Sequence, residues 1–130
     1  MLRKIDLHPD KERYKNYSFS TCVVAGDFVF TSHQGGVVDD DGKLLNTIEE
    51  QTEQAFKNLE KALAAGGATL DDVVKMMIYL KNAGDFQAME DIYKTKFKNR
   101  FPVRSGLVTG FVADFILVQM DAIAYVPQTQ

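Results

Sequence analysis

A chain of 130 residues, 45% hydrophobic and 25% charged, suits one domain spanning 1–130 and can bury a core of its own. Its net charge of −3 gives no basic excess for sequence-independent contact with nucleic acid, so nucleic acid is not expected as a partner. The single cysteine, Cys22, excludes an intrachain disulfide and a cysteine-based zinc site within one chain.

The opening run MLRKIDLHPDKERYKNYSF is basic but lacks the apolar centre of a secretory signal. No later stretch approaches the length of a membrane-spanning helix. A cytoplasmic protein without membrane association is therefore expected. The first strand-like piece covers residues 19–24, and FVFTS (28–32) follows. The Gly26-Asp27 pair between them reads as a hairpin turn, and Asp41-Gly42 marks a second turn.

Thr47 and Glu50 have capping-box spacing and open the first helix. Ile48, Ala55, Phe56, Leu59, Ala62 and Leu63 form its apolar stripe, with Lys57, Glu60 and Lys61 opposite. Gly66-Gly67 ends it. The run DDVVKMMIYLKN predicts a strand buried on both faces. Asp85 is a candidate cap for a second helix striped by Phe86, Met89, Ile92, Tyr93 and Phe97 and stopped by Pro102. Strands are predicted over 103–109 and 115–126. In the last, Phe115, Leu117, Gln119, Asp121, Ile123 and Tyr125 share one face by period two. The opposite face, from Ile116 to Ala124, is wholly apolar.

The order is then β-β-β-α-β-α-β-β, an α+β fold with two helices on one face of a mixed sheet. No helix remains for the second face, which still carries Val, Phe and Leu, so self-association into a closed ring is expected. Arg104 stands alone in the apolar and small-residue run FPVRSGLVTG. A partly buried arginine needs an anion, which could be a carboxylate of this chain (Glu90 or Asp121), a neighbouring subunit or a ligand.

AGDFVFTSHQGG, IEEQTEQAFKNLEKALAAGGATLDDVVKMMIYL, DFQAMEDIYKTKF, FPVRSGLV and VQMDAIAYV occur in that order. Together they resemble the RidA/YjgF/YER057c/UK114 family, also called the endoribonuclease L-PSP family. The resemblance implies a chorismate-mutase-like (YjgF-type) fold in a trimeric barrel-like assembly, with sites in clefts between subunits. It implies hydrolysis of reactive enamines and imines, such as 2-iminopropanoate and 2-iminobutanoate, to a keto acid and ammonia. No metal or organic cofactor is implied.

Arg104 matches the family arginine that grips the substrate carboxylate, and a guanidinium fork can do so with two parallel bonds. Ser105 and Gly106 follow it in the motif, and Ser32 keeps the serine of the family's S-G-Q pattern; these too are binding positions. Four positions depart from the deaminating pattern. Phe19 replaces a tyrosine, with Tyr17 offset by two. His33 replaces a glycine in S-G-Q, Glu90 replaces an asparagine, and Gln119 replaces the glutamate thought to activate water.

Gln119 can orient water but cannot act usefully as a base. Glu90 or His33 could supply one; equally, Glu90 could be a solvated helix residue and His33 an exposed one. Three functions follow: an imine deaminase; a non-catalytic binder or regulator that takes a small carboxylate; and RNA cleavage, which rests on a family label alone. Only two histidines exist, His8 and His33, which is a poor basis for a nuclease site.

Overall fold

The computed structural model describes residues 1–7 and 17–127; His8 lies outside them. Among the described residues, four strands precede the first helix: β1 (Leu2–Ile5), β2 (Cys22–Ala25), β3 (Phe28–Thr31) and the short β4 (Gln34–Gly35). Then come α1 (Ile48–Ala65), β5 (Val73–Leu80), α2 (Phe86–Tyr93), β6 (Val103–Val108) and β7 (Val118–Tyr125). The strands form one sheet in the order β1-β2-β3-β7-β5-β6, with β4 pairing β7. Only β5 and β6 pair in parallel.

The α+β architecture is as expected, with one more strand than the sequence pattern gives. β1 pairs antiparallel with β2 at the sheet edge, and Leu2 to Lys4 are exposed, so it shows no alternation of apolar and polar residues. Both glycine turns form. Gly26 takes φ +60° in the two-residue link between β2 and β3, and Gly42 takes φ +86°. The Asp39 carboxylate accepts from the N–H groups of Asp41 and Lys43, each at 2.9 Å, and so closes the second turn.

Thr47 caps α1: its hydroxyl accepts from the Glu50 N–H at 3.1 Å and donates to the Glu50 carboxylate at 3.1 Å. The predicted stripe is buried, and Gln51, Thr52 and Gln54 are buried with it. Phe56, Leu59 and Leu63 lie against Met76 and Ile78 of β5 and Met120 of β7, all essentially inaccessible. Each such side chain stabilises the fold by roughly 1.5–3 kcal/mol.

Three expectations need correction. β5 is a strand, but only Val73, Met76, Ile78 and Leu80 are buried, while Val74 and Lys75 are exposed. Helices cover one face of the sheet, and among the described residues no helix covers the other. α2 is also shorter than its stripe. It ends at Tyr93, where the Thr95 hydroxyl donates to the Ile92 carbonyl at 2.7 Å, well before Pro102. Asp85 stands at its N-cap but makes no capping hydrogen bond. Phe97, beyond the helix, still packs on Tyr93 with ring centroids 4.9 Å apart.

Register fixes what each sheet face carries. Tyr79 pairs with Gln119 on one side and Leu107 on the other, so these three share a face. Met77, Asp121 and Ser105 form the next row on that face. Phe28, Phe30, Leu107 and Tyr125, each about two-fifths exposed, make this open face apolar and aromatic. Arg104 pairs with Met76, which pairs with Ala122; both are buried, so this row faces the helices.

Candidate functional site

Residues singled out in the sequence fall into two groups on different parts of the chain. The first surrounds a cavity of about 590 Å³ whose wall includes Phe19, Ser32, His33, Asn58 and Gln119. The turn after β3 carries Ser32 and His33 into it, and β7 carries Gln119. The Ser32 hydroxyl accepts from Gln34 Nε2 at 3.1 Å. His33 is exposed, with its ring 5.7 Å from that of Phe19.

Tyr17, set aside in the sequence because of its two-residue offset, lines the same cavity and meets Phe19 edge-on at 5.5 Å. Only its closeness to Phe19 in the chain could have pointed to it. A phenol is therefore present in the cavity, though one position pair away from the pattern.

The second group surrounds Arg104 on the helix side of the edge strand β6. Its Nη1 donates to Glu90 Oε1 at 2.7 Å and its Nη2 to Glu90 Oε2 at 3.3 Å. Of the three sources of an anion, the structure supplies Glu90. Asp121 instead accepts from the Tyr79 hydroxyl at 2.9 Å on the open face, where burial and then this carboxylate raise the Tyr79 phenol above its ordinary pKa.

The guanidinium carbon lies 4.6 Å from the Tyr93 ring centroid and 5.6 Å from that of Phe86. Phe86, Glu90 and Tyr93 are spaced i, i+4 and i+7 along α2, so one helix face presents two aromatic walls and a carboxylate to Arg104. That spacing was legible in the sequence, and it places Glu90 against the sheet rather than on a solvated face.

The Arg104 and Glu90 side chains are 24% and 19% exposed. Hydrogen bonds from Arg104 hold the Glu90 carboxyl below the usual carboxylate range against the opposing effect of burial, and the same bonds raise Arg104. Two cavities flank the guanidinium. One, of about 330 Å³, is lined by Ile78, Phe86, Met89, Gly106 and Leu107 besides Arg104. The other, of about 280 Å³, is lined by Glu90, Tyr93, Lys94, Phe101 and Pro102 besides Arg104.

The two groups do not meet within the chain. Gln119 lies in the open-face row and Arg104 in the helix-face row, on opposite sides of one sheet. Ser105 shares the open face with Asp121, while Gly106 stays beside Arg104. Among the described residues no group of three or more His, Cys, Asp or Glu could hold a metal ion, and no helix is long and apolar enough to cross a membrane.

Fold and site together define a small α+β protein with a mixed sheet, two helices on one face, and a carboxylate-gripping arginine beneath its edge strand. The chain belongs to the endoribonuclease L-PSP (RidA/YjgF) family, whose model matches residues 11–126. A RutC family protein of Pyrococcus abyssi is 32% identical over 108 residues, which cover 82% of this chain and 85% of that one. A 2-iminobutanoate/2-iminopropanoate deaminase of Dermatophagoides farinae is 31% identical over 109 residues, covering 83% and 85%. The crystal structure of a YjgF/YER057c/UK114 family member from Mycobacterium tuberculosis superposes with a TM-score of 0.81 at 27% identity, covering 97% of this chain and 100% of that one.

Proposed function

We propose that this protein hydrolyses small imines and enamines of the 2-iminopropanoate and 2-iminobutanoate type to a keto acid and ammonia. Arg104 holds the substrate carboxylate in a cleft between subunits of a homotrimer. The observation that carries this reading is the bidentate grip of Arg104 on a carboxylate, Glu90, between aromatic walls. It supports the reading, because a guanidinium fork that meets one carboxylate at this position has the geometry such a substrate requires. The deaminase named among the relatives supports the reaction type.

The placement of Arg104 and Gln119 on opposite faces supports a composite site: a neighbouring subunit would bring Ser32, His33, Phe19 and Gln119 to face Arg104 and Gly106. The aromatic open face supports the assembly that creates it. In the reaction, water adds to the iminium carbon and one of its protons passes through a base to nitrogen; the C–N bond then breaks, ammonia leaves, and the remaining hydroxyl proton is released as the C=O of the keto acid forms. Gln119 orients the water by hydrogen bonding. Its amide cannot take the proton, so Glu90 or His33 is the group to accept it.

A second reading, a binder of small carboxylates without turnover, is favoured by Gln119, whose amide cannot serve as a base. Ammonia release from 2-iminopropanoate, generated in place by an amino-acid oxidase, separates the two. Wild type should accelerate release over a blank without protein. Arg104→Ala should lower the accelerated rate by about a hundredfold or more, the loss of two charge-assisted bonds. No acceleration by wild type would sink the deaminase and leave the binder.

A further inference from the structure

We propose that Glu90 determines the ligand class of the Arg104 site: it selects molecules that carry a cationic nitrogen beside their carboxylate, and turns away simple carboxylate anions. This inference rests on Arg104 being the carboxylate anchor. The end of the guanidinium is already taken, because both terminal nitrogens donate to the two Glu90 oxygens. The ion pair is less than a quarter exposed on either side chain, so water screens it only in part.

A lone carboxylate arriving here must displace Glu90 or share one guanidinium with it. Sharing leaves two like charges around a single cation in a partly desolvated site, and displacement leaves Glu90 without its partner. Either costs binding free energy. A zwitterion avoids both outcomes. Its carboxylate takes the guanidinium edge that Glu90 leaves, and its cationic nitrogen donates to Glu90, so the net charge of the site is unchanged.

The cavity of about 280 Å³ that both charged groups line has room for an amino-acid-sized molecule. Its apolar wall is the stacked pair Tyr93 and Phe101, with ring centroids 6.0 Å apart. Lys94 also lines this cavity. It is exposed, so solvent screens its ammonium, which adds to the stronger effect of Arg104 on the Glu90 carboxylate. A protonated imine is such a zwitterion and its keto-acid product is a plain anion, so Glu90 favours substrate over product.

Binding of alanine (the zwitterion) and pyruvate (the anion) by titration calorimetry tests this without any turnover. Wild type should bind alanine about tenfold or more tighter than pyruvate. Glu90→Gln keeps the shape and removes the charge; it should bind pyruvate about tenfold better than wild type and alanine more weakly. Arg104→Met should lose both ligands.

An alanine-to-pyruvate ratio in Glu90→Gln within about threefold of wild type would overturn the proposal, as would failure of wild type to bind alanine. Retention of both ligands by Arg104→Met would instead overturn the anchor itself. Thermal melts establish that each variant is folded, and Glu90→Asn replaces Glu90→Gln if the latter is not. Because neither probe reacts, failure of imine hydrolysis leaves this test standing.

Discussion

Replacing Gln51 by Met should be among the more damaging single changes in the helix layer, although it keeps the volume and adds hydrophobicity. Gln51 is 1% exposed in the middle of the apolar stripe of α1. Its Nε2 donates to the carbonyls of Leu45 and Phe115, each at 3.0 Å, and its Oε1 accepts from the Leu117 N–H at 2.9 Å. One amide thus ties the segment before α1 to the segment that enters β7, and β7 carries Gln119.

Methionine removes all three bonds and leaves one N–H and two carbonyls without these partners. At about 1 kcal/mol net for each of the three bonds, with about 1 kcal/mol more for the buried Leu45 carbonyl left unpaired, the loss comes to about 4 kcal/mol. That is a large share of the stability of a domain this size. Urea unfolding at fixed protein concentration measures it, and amide exchange at Leu117 should quicken in parallel. A loss below about 1 kcal/mol with Leu117 still protected would refute the reasoning.

The neighbouring Thr52 predicts the opposite sign. Its hydroxyl is buried with no hydrogen-bond partner among the described residues, so Thr52→Val should be neutral or raise stability by about 1 kcal/mol in the same urea assay. Acid sensitivity follows from Glu90. Its folded-state pKa is lowered by Arg104, so its contribution is full above the ordinary glutamate value of about 4.3 and fades as pH falls from there through the lowered value. Wild type should exceed Glu90→Gln in melting temperature at pH 7, and the difference should shrink steadily on acidification below about pH 4; a gap independent of pH would count against the ion pair.

The sequence by itself determined several features that depend on near neighbours. The capping box at Thr47, the stripe of α1, the turns at Gly26 and Gly42 and the two faces of β7 are each set within a few residues, because helix and strand periods place side chains relative to their own element. It also determined that Arg104 needs an anion, since a partly buried guanidinium is costly alone. It could not choose among Glu90, Asp121 and a ligand, because that choice depends on which element packs over β6.

Tertiary structure decided the rest. Parallel pairing of β5 with β6 and antiparallel pairing with β7 set the rows that put Arg104 beneath the helices and Gln119 on the opposite face. Docking of α2 brought Glu90 and Tyr93 to Arg104, and the approach of residues 115–117 gave the buried Gln51 its partners. Each joins residues distant in the chain. Their meeting is fixed by strand order, register and packing, which no local period encodes.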